Sequence, residues 1–305
     1  MNALRGIQIP VATPFTQEQS LDLAALEFNL SAWATTGVAG FMVLGTNGEF
    51  KGLSDEESRA VVHAAAERKD GKTLIVGAGR ESLAETVAFI DSLGPDMQAI
   101  DYLSILTPHY FSKQMTGDAL GAYYTAVADH SPKPLLLYVA PGYANGVTVP
   151  PPVLAALADH PNIAGVKDTS PAMMNDYMLA AGGRKDFTVL AGSLSNIIPE
   201  LTFGGTGGVV SAANYLPTEC AHLTDLWFAG RFEHALTYYL LLQRVVKATG
   251  AKYGVAGLKF CMNEVGLRGG VPRLPVQPLP SSAAAEVRET LRRGRDELQR
   301  SASEF

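Results

Sequence analysis

The sequence predicts a (β/α)8 barrel, the TIM-barrel fold, with a C-terminal helical appendage. Three observations point to it. Eight short runs rich in Val, Ile and Leu alternate with helical patterns along most of the chain. Those runs lack the strict polar alternation of strands wetted on one face, as parallel strands covered on both faces do. After the eighth run the pattern becomes wholly helical. An open doubly wound sheet is the architectural alternative, and eight repeats of one strand–helix unit fit a closed ring better.

The elements follow in order. Ile7–Thr13 is the first strand and Phe41–Leu44 the second, with Gly37 read as a helix stop between them. In "SDEES", Ser54 is an N-cap with Glu57 three residues on, which is a capping box. Thr73–Gly77 is the third strand, and Gly94 stops the helix after it. Tyr102–Leu106 is the fourth, and Thr116 starts "TGDALGAYYTAVADH". Pro134–Val139 is the fifth, and Pro150–Pro152 open "PPPVLAALADH", where proline suits a first helical turn. Ile163–Lys167, Thr188–Ala191 and Gly207–Val210 complete the set. From about Pro217 onward three helical pieces follow, separated by Gly250 and "VPRLPVQPLP". The expected organisation is a barrel over 1–222 that carries the active site, then a helical region over 223–305.

The chain has 305 residues, of which 47% are hydrophobic, enough for one barrel-sized core. A formal charge of −6 with no basic stripe argues against nucleic acid as a partner. Cys220 and Cys261 lie far apart and offer neither a metal spacing nor a disulfide framework, so a reducing cytoplasm is expected. "MNALRGIQIPVATPF" lacks the apolar run of a signal peptide, and no stretch reaches the roughly 18 apolar residues of a membrane span. The six histidines include no His-x-x-x-His pair, and no metal is expected. "GAGRES" resembles a dinucleotide fingerprint only loosely and sits after the wrong strand. No Gly-x-Ser-x-Gly elbow is present.

In such a barrel the active site lies at the carboxyl ends of the strands. Lys167 ends the sixth, where "NIAGV" leads toward a core and another aliphatic residue would be ordinary. Burial lowers a lysine's basicity, and a neutral amine can attack a carbonyl to form a Schiff base. The plainer reading pairs Lys167 with Asp168 or lets it snorkel to solvent. Tyr138 ends the fifth strand in "PLLLYVAPG", where a phenol could shuttle a proton; the plainer reading is a core tyrosine with a satisfied hydroxyl. Neighbouring strands put these two residues on one pocket. "LGTNGEF" brings backbone N–H groups and the side chains of Thr46 and Asn47 together as a carboxylate cradle, or is an ordinary strand-to-helix turn. "GGTGGVVS" allows close backbone approach to a small ligand, and "LTPHYF" puts Tyr110 at the same end. Lys259, in "GLKFCMNEVG", reads as a residue on the flank of an appendage helix.

With "GTNGE", "YVAPGYANG" and "GVKDTS" after the second, fifth and sixth strands, the chain resembles the dihydrodipicolinate synthase/N-acetylneuraminate lyase family over nearly its whole length. The resemblance implies class I chemistry without a cofactor: an imine between Lys167 and the keto carbon of a pyruvate-containing substrate. It implies Tyr138 as proton relay, Thr46 and Asn47 as carboxylate ligands, and Val209 as a backbone contact. Tyr110 looks like the family tyrosine that reaches a neighbouring subunit's site, implying a homotetramer built from tight dimers.

Departures from the family pattern bear on the substrate. Dihydrodipicolinate synthases usually carry an arginine two residues after the proline of the tyrosine motif; here Pro141 is followed by Gly142 and Tyr143. A phenol cannot replace a guanidinium's two-pronged grip on a carboxylate. "GTNGEF", "HPNIAGVKDTS" and "DFTVLAGS" are similar to the 4-hydroxy-2-oxoglutarate aldolase branch, in which the serine matching Ser193 lies near the substrate. The expected activity is cleavage of 4-hydroxy-2-oxoglutarate, or a close 2-keto acid, to pyruvate and a small aldehyde such as glyoxylate. The alternatives are dihydrodipicolinate synthase, another 2-keto acid dehydratase or hydratase-aldolase, and a non-enzymatic keto-acid sensor.

Overall fold

The computed structural model describes residues 4–170, 173–184 and 186–304. Its strands are β1 (Gly6–Pro10), β2 (Gly40–Val43), β3 (Thr73–Gly77), β4 (Tyr102–Leu106), β5 (Leu135–Val139), β6 (Ile163–Asp168), β7 (Thr188–Ala191) and β8 (Gly207–Val209). They close in chain order into a barrel. The interleaved helices are α1 (Leu23–Ala34), α2 (Asp55–Arg68), α3 (Leu83–Ser92), α4 (Gly117–His130), α5 (Pro151–Ala158), α6 (Met174–Ala180), α7 (Ile197–Thr202) and α8 (Pro217–Phe228). Three more follow: α9 (Phe232–Ala248), α10 (Gly254–Glu264) and α11 (Ser281–Glu304). Every predicted strand is present. β1 stops short of the predicted Thr13: Val11 still donates to the carbonyl of Met42, and the chain then leaves the ladder. No helix among the described residues is long and apolar enough to cross a membrane.

The chain forms two compact bodies. One comprises the described residues of Thr73–Val209 together with Leu4 and Arg5. It holds β3 to β8 as a continuous parallel ladder, with α3 to α7. Every residue of β5 and β6 is buried, which explains their unbroken apolar runs. Gly165 answers to close packing: a Cβ there would lie 2.2 Å from the carbonyl oxygen of Thr188 on β7. Thr116 caps α4 by accepting from the N–H of Ala119, as predicted.

The other body comprises Gly6–Lys72 and the residues from Val210 onward. It holds β1, β2, α1, α2 and α8 to α11. The predicted capping box is present, with Ser54 and Glu57 each accepting from the other's backbone N–H. Asn214 is a buried latch: its Oδ1 accepts from the N–H of Ala12 and its Nδ2 donates to the carbonyl of Pro10. Gly37 is not a helix stop. Helix α1 ends three residues earlier, and Gly37 instead packs where a Cβ would lie 3.2 Å from Ala221 on α8. Helix α8 straddles the expected boundary between 222 and 223, its buried residues running from Cys220 to Leu226. The helical tail packs through α9 and α10 against α11.

Candidate active site

The ends of β5 and β6 carry the central pair. The strand register sets Leu106, Tyr138, Lys167 and Leu190 side by side across β4 to β7. Residues opposite one another in a ladder share a face, so Tyr138 and Lys167 point the same way. Both are buried, and the Lys167 Nζ lies 3.9 Å from the centroid of the Tyr138 ring. That cation–π contact favours the charged amine by only about 0.5–2 kcal/mol. Burial opposes it and wins: desolvation lowers the pKa of Lys167 from 10.5 to about 7. A substantial fraction of the amine is therefore uncharged at neutral pH.

The plainer reading of Lys167, a pairing with Asp168, does not describe the carboxylate. Successive strand residues face opposite sides. Asp168 accepts from both the backbone N–H and the hydroxyl of Ser170, at 2.9 and 2.7 Å. Burial raises the pKa of Asp168 and outweighs the two Ser170 bonds, which lower it. Asn196 then donates to the carbonyl of Ser170 at 3.0 Å, which ties this turn to the loop after β7.

Tyr110 and Tyr143 are not buried with that pair. They stand 75% and 64% exposed on the loops after β4 and β5. The Tyr110 ring packs edge-on against Phe111, at 5.0 Å between centroids. Glu81 accepts from the backbone N–H groups of His109 and Tyr110, and Asn145 donates to the carbonyl of His109, so the two loops are tied together. Ser193 follows β7 half-buried at the start of the turn Leu194–Asn196, and Val209 ends β8, buried. Thr107, at the end of β4, is buried with a hydroxyl that has no hydrogen-bond partner among the described residues.

Thr46 and Asn47 lie in the other body, on a single 3₁₀ turn, Thr46–Gly48, after β2. Both are half-buried, and Asn47 donates to the hydroxyl of Ser211 at 2.7 Å. The flanking residues Leu44 and Glu49 have left-handed backbones, φ 56° and 52°. Lys259 lies on the appendage helix α10, as expected, and is buried there. It is 1% exposed, and its Nζ forms a 2.5 Å ion pair with Glu49. That burial is not legible locally, because the partner carboxylate comes from a distant part of the chain. The roles of Lys259, Glu49, Ser211 and Asn214 escape a reading of motifs. One signal was available for Lys259: a lysine inside an apolar helical run, the same oddity that marks Lys167.

Barrel, lysine and relatives together define a class I pyruvate-dependent lyase. The chain belongs to the dihydrodipicolinate synthetase family, whose model matches residues 3–293. It is 31% identical over 291 residues to the probable 4-hydroxy-2-oxoglutarate aldolase, mitochondrial, of Emericella nidulans, covering 93% of each chain. It is 30% identical over 286 residues to a 4-hydroxy-tetrahydrodipicolinate synthase of Exiguobacterium sp., covering 92% of this chain and 95% of the relative. Among solved structures it is similar to YagE, a dihydrodipicolinic acid synthase family protein from E. coli K12 in complex with pyruvate. There the TM-score is 0.88 at 26% identity, over 95% of this chain and 98% of the other.

Proposed function

We propose that this protein is a Schiff-base aldolase that splits 4-hydroxy-2-oxoglutarate into pyruvate and glyoxylate. The observation that carries the reading is the buried amine of Lys167 held against Tyr138 at a strand end. The neutral Nζ attacks the keto carbon, and water leaves to give an imine whose protonated form accepts electrons. Loss of the 4-hydroxyl proton then breaks the bond between C3 and C4. The bonding pair moves into the iminium to give an enamine, and glyoxylate departs. Protonation at C3 and hydrolysis release pyruvate and restore the amine. Tyr138 relays the protons.

Thr46 and Asn47 are proposed to hold the substrate carboxylate, with Val209 as a backbone contact and Ser193 beside the substrate. Tyr143 stands where the synthase branch usually places the arginine that meets its second substrate's carboxylate, and a phenol does not supply that two-pronged grip, which weighs against the synthase reaction. The same reading includes a homotetramer in the cytoplasm, with Tyr110 completing a neighbouring subunit's site. The exposure of Tyr110 supports that role.

A 2-keto acid panel tests the activity, with borohydride trapping read by intact mass. The expected result is a reduced pyruvate adduct on Lys167, with cleavage of 4-hydroxy-2-oxoglutarate faster than condensation of pyruvate with aspartate semialdehyde. Faster condensation would transfer the protein to the synthase reading. Turnover without any trappable adduct would remove the Schiff base.

A further inference from the structure

The turn that bears Thr46 and Asn47 is short and strained. Residues with side chains rarely adopt left-handed backbone, and each such residue costs about 1–3 kcal/mol unless its surroundings hold it there. Leu44 and Glu49 do so on either side of the Thr46–Gly48 turn. Something must therefore fix this loop. On one side Gly48 sits against the β1 exit, where a Cβ would lie 3.0 Å from the carbonyl oxygen of Val11. On the other, the side chain of Glu49 is gripped from the C-terminal region. Its Oε1 meets the Lys259 Nζ at 2.5 Å and its Oε2 accepts from the backbone N–H of Arg273 at 2.8 Å.

The anchor is itself anchored. Lys259 donates to the carbonyl of Val271 at 2.8 Å and lies 4.3 Å from the centroid of the Phe15 ring. The Arg273 guanidinium lies 4.1 Å from the same ring and grips both oxygens of Glu57 at 2.8 and 2.9 Å. A buried ion pair is weak grounds for stability, because desolvating both charges offsets most of their attraction. Its value lies in geometry. A carboxylate held by an ammonium and a backbone N–H has little freedom to move, and neither does the turn attached to it.

We propose that Glu49 and Lys259 are positioning residues for the substrate carboxylate: their ion pair locks the Thr46–Gly48 turn from helix α10 in the C-terminal region. This rests on the reading that Thr46 and Asn47 hold that carboxylate. The helical tail is thereby part of the catalytic apparatus without touching substrate. A shift of the order of 1 Å in a positioning group costs about 10²-fold in rate.

The test compares two ketones that can form an imine with Lys167. Pyruvate has a carboxylate and acetone has none. The variants are Lys259→Met and Glu49→Gln, with folding checked by circular dichroism and thermal melting. The readout is borohydride-trapped adduct by intact mass, as a function of ketone concentration. The expected result is a rise of about 10- to 10²-fold in the pyruvate concentration needed for half-trapping, with acetone trapping moved by less than about threefold. Equal losses for both ketones, or an unchanged pyruvate curve in a folded variant, would overturn the proposal. If Lys259→Met does not fold, Glu49→Gln, which keeps the side chain's shape, supplies the comparison. Failure of both to fold would also count against it, making the pair a requirement of the fold. Wild-type protein that traps no pyruvate would sink the Schiff-base reading itself, a result separate from either.

Discussion

Lys167 trades charge for burial. The folded state holds its pKa near about 7, whereas the unfolded chain restores 10.5. Between those values the unfolded state binds more protons than the folded one, so this group makes stability rise with pH across that window. Below about pH 7 the folded protein carries the full cost of burying or neutralising the amine. Lys167→Met removes that cost and should raise stability at pH 7 by an amount on the order of a few kcal/mol. The gain should shrink toward pH 10.5, as wild type approaches the variant. Activity should vanish, while wild-type adduct formation should rise with pH through about 7 as the neutral amine appears. Paired thermal melts across pH decide it; a variant less stable than wild type at pH 7 would contradict the burial argument. Lys167 could be found in the sequence because its oddity is local, a cation closing an aliphatic strand. Lys259 carries the same mark, but its meaning depends on Glu49, which no neighbouring residue announces.

At the scale of elements, the pairing of β5 with β6 matters most. Tyr138 and Lys167 meet because the ladder sets them opposite one another, past an irregularity between Leu135 and Leu136. β7 must approach β6 equally closely, and Gly165 permits it. Gly165→Ala would put a methyl 2.2 Å from the Thr188 carbonyl oxygen, against rigid backbone. The expected cost is about 1–3 kcal/mol of stability. Activity should fall further than stability explains, because Lys167 lies two residues along the displaced strand. Denaturant midpoints alongside turnover give the answer, and unchanged midpoints would show that the strands separate without strain. The caps Ser54 and Thr116 were legible, since a cap and its N–H partner lie within one turn. Gly37 was misread because glycine marks both helix ends and tight contacts, and the contact partner Ala221 comes from a remote helix.

For the whole molecule, the exposed aromatic edge of the loops after β4 and β5 bears on assembly. Tyr110, Phe111 and Tyr143 expose large aromatic area on two loops tied by Asn145. Surfaces of this kind are commonly covered by a partner. Light scattering at assay concentration should read four times the chain mass. Tyr110→Ala and Tyr143→Ala together should reduce that mass and the activity in parallel, and a fully active monomer would remove Tyr110 from a neighbour's site. The barrel was readable because its period repeats along the chain. The company its tail keeps was not: the C-terminal helices group with the first two strands in one body, through residues distant in sequence.

Strand positions, helix starts and the anomaly of Lys167 were already written in stretches of a few residues. Local propensity and apolar patterning act over that distance and need no knowledge of the rest of the chain. Folding alone decided that Tyr138 lies against Lys167, that Asn214 latches β1, and that a lysine near the C-terminus grips the turn after β2. Those outcomes depend on strand register and on the exclusion of water between distant segments, a free energy that no single segment possesses until the others surround it.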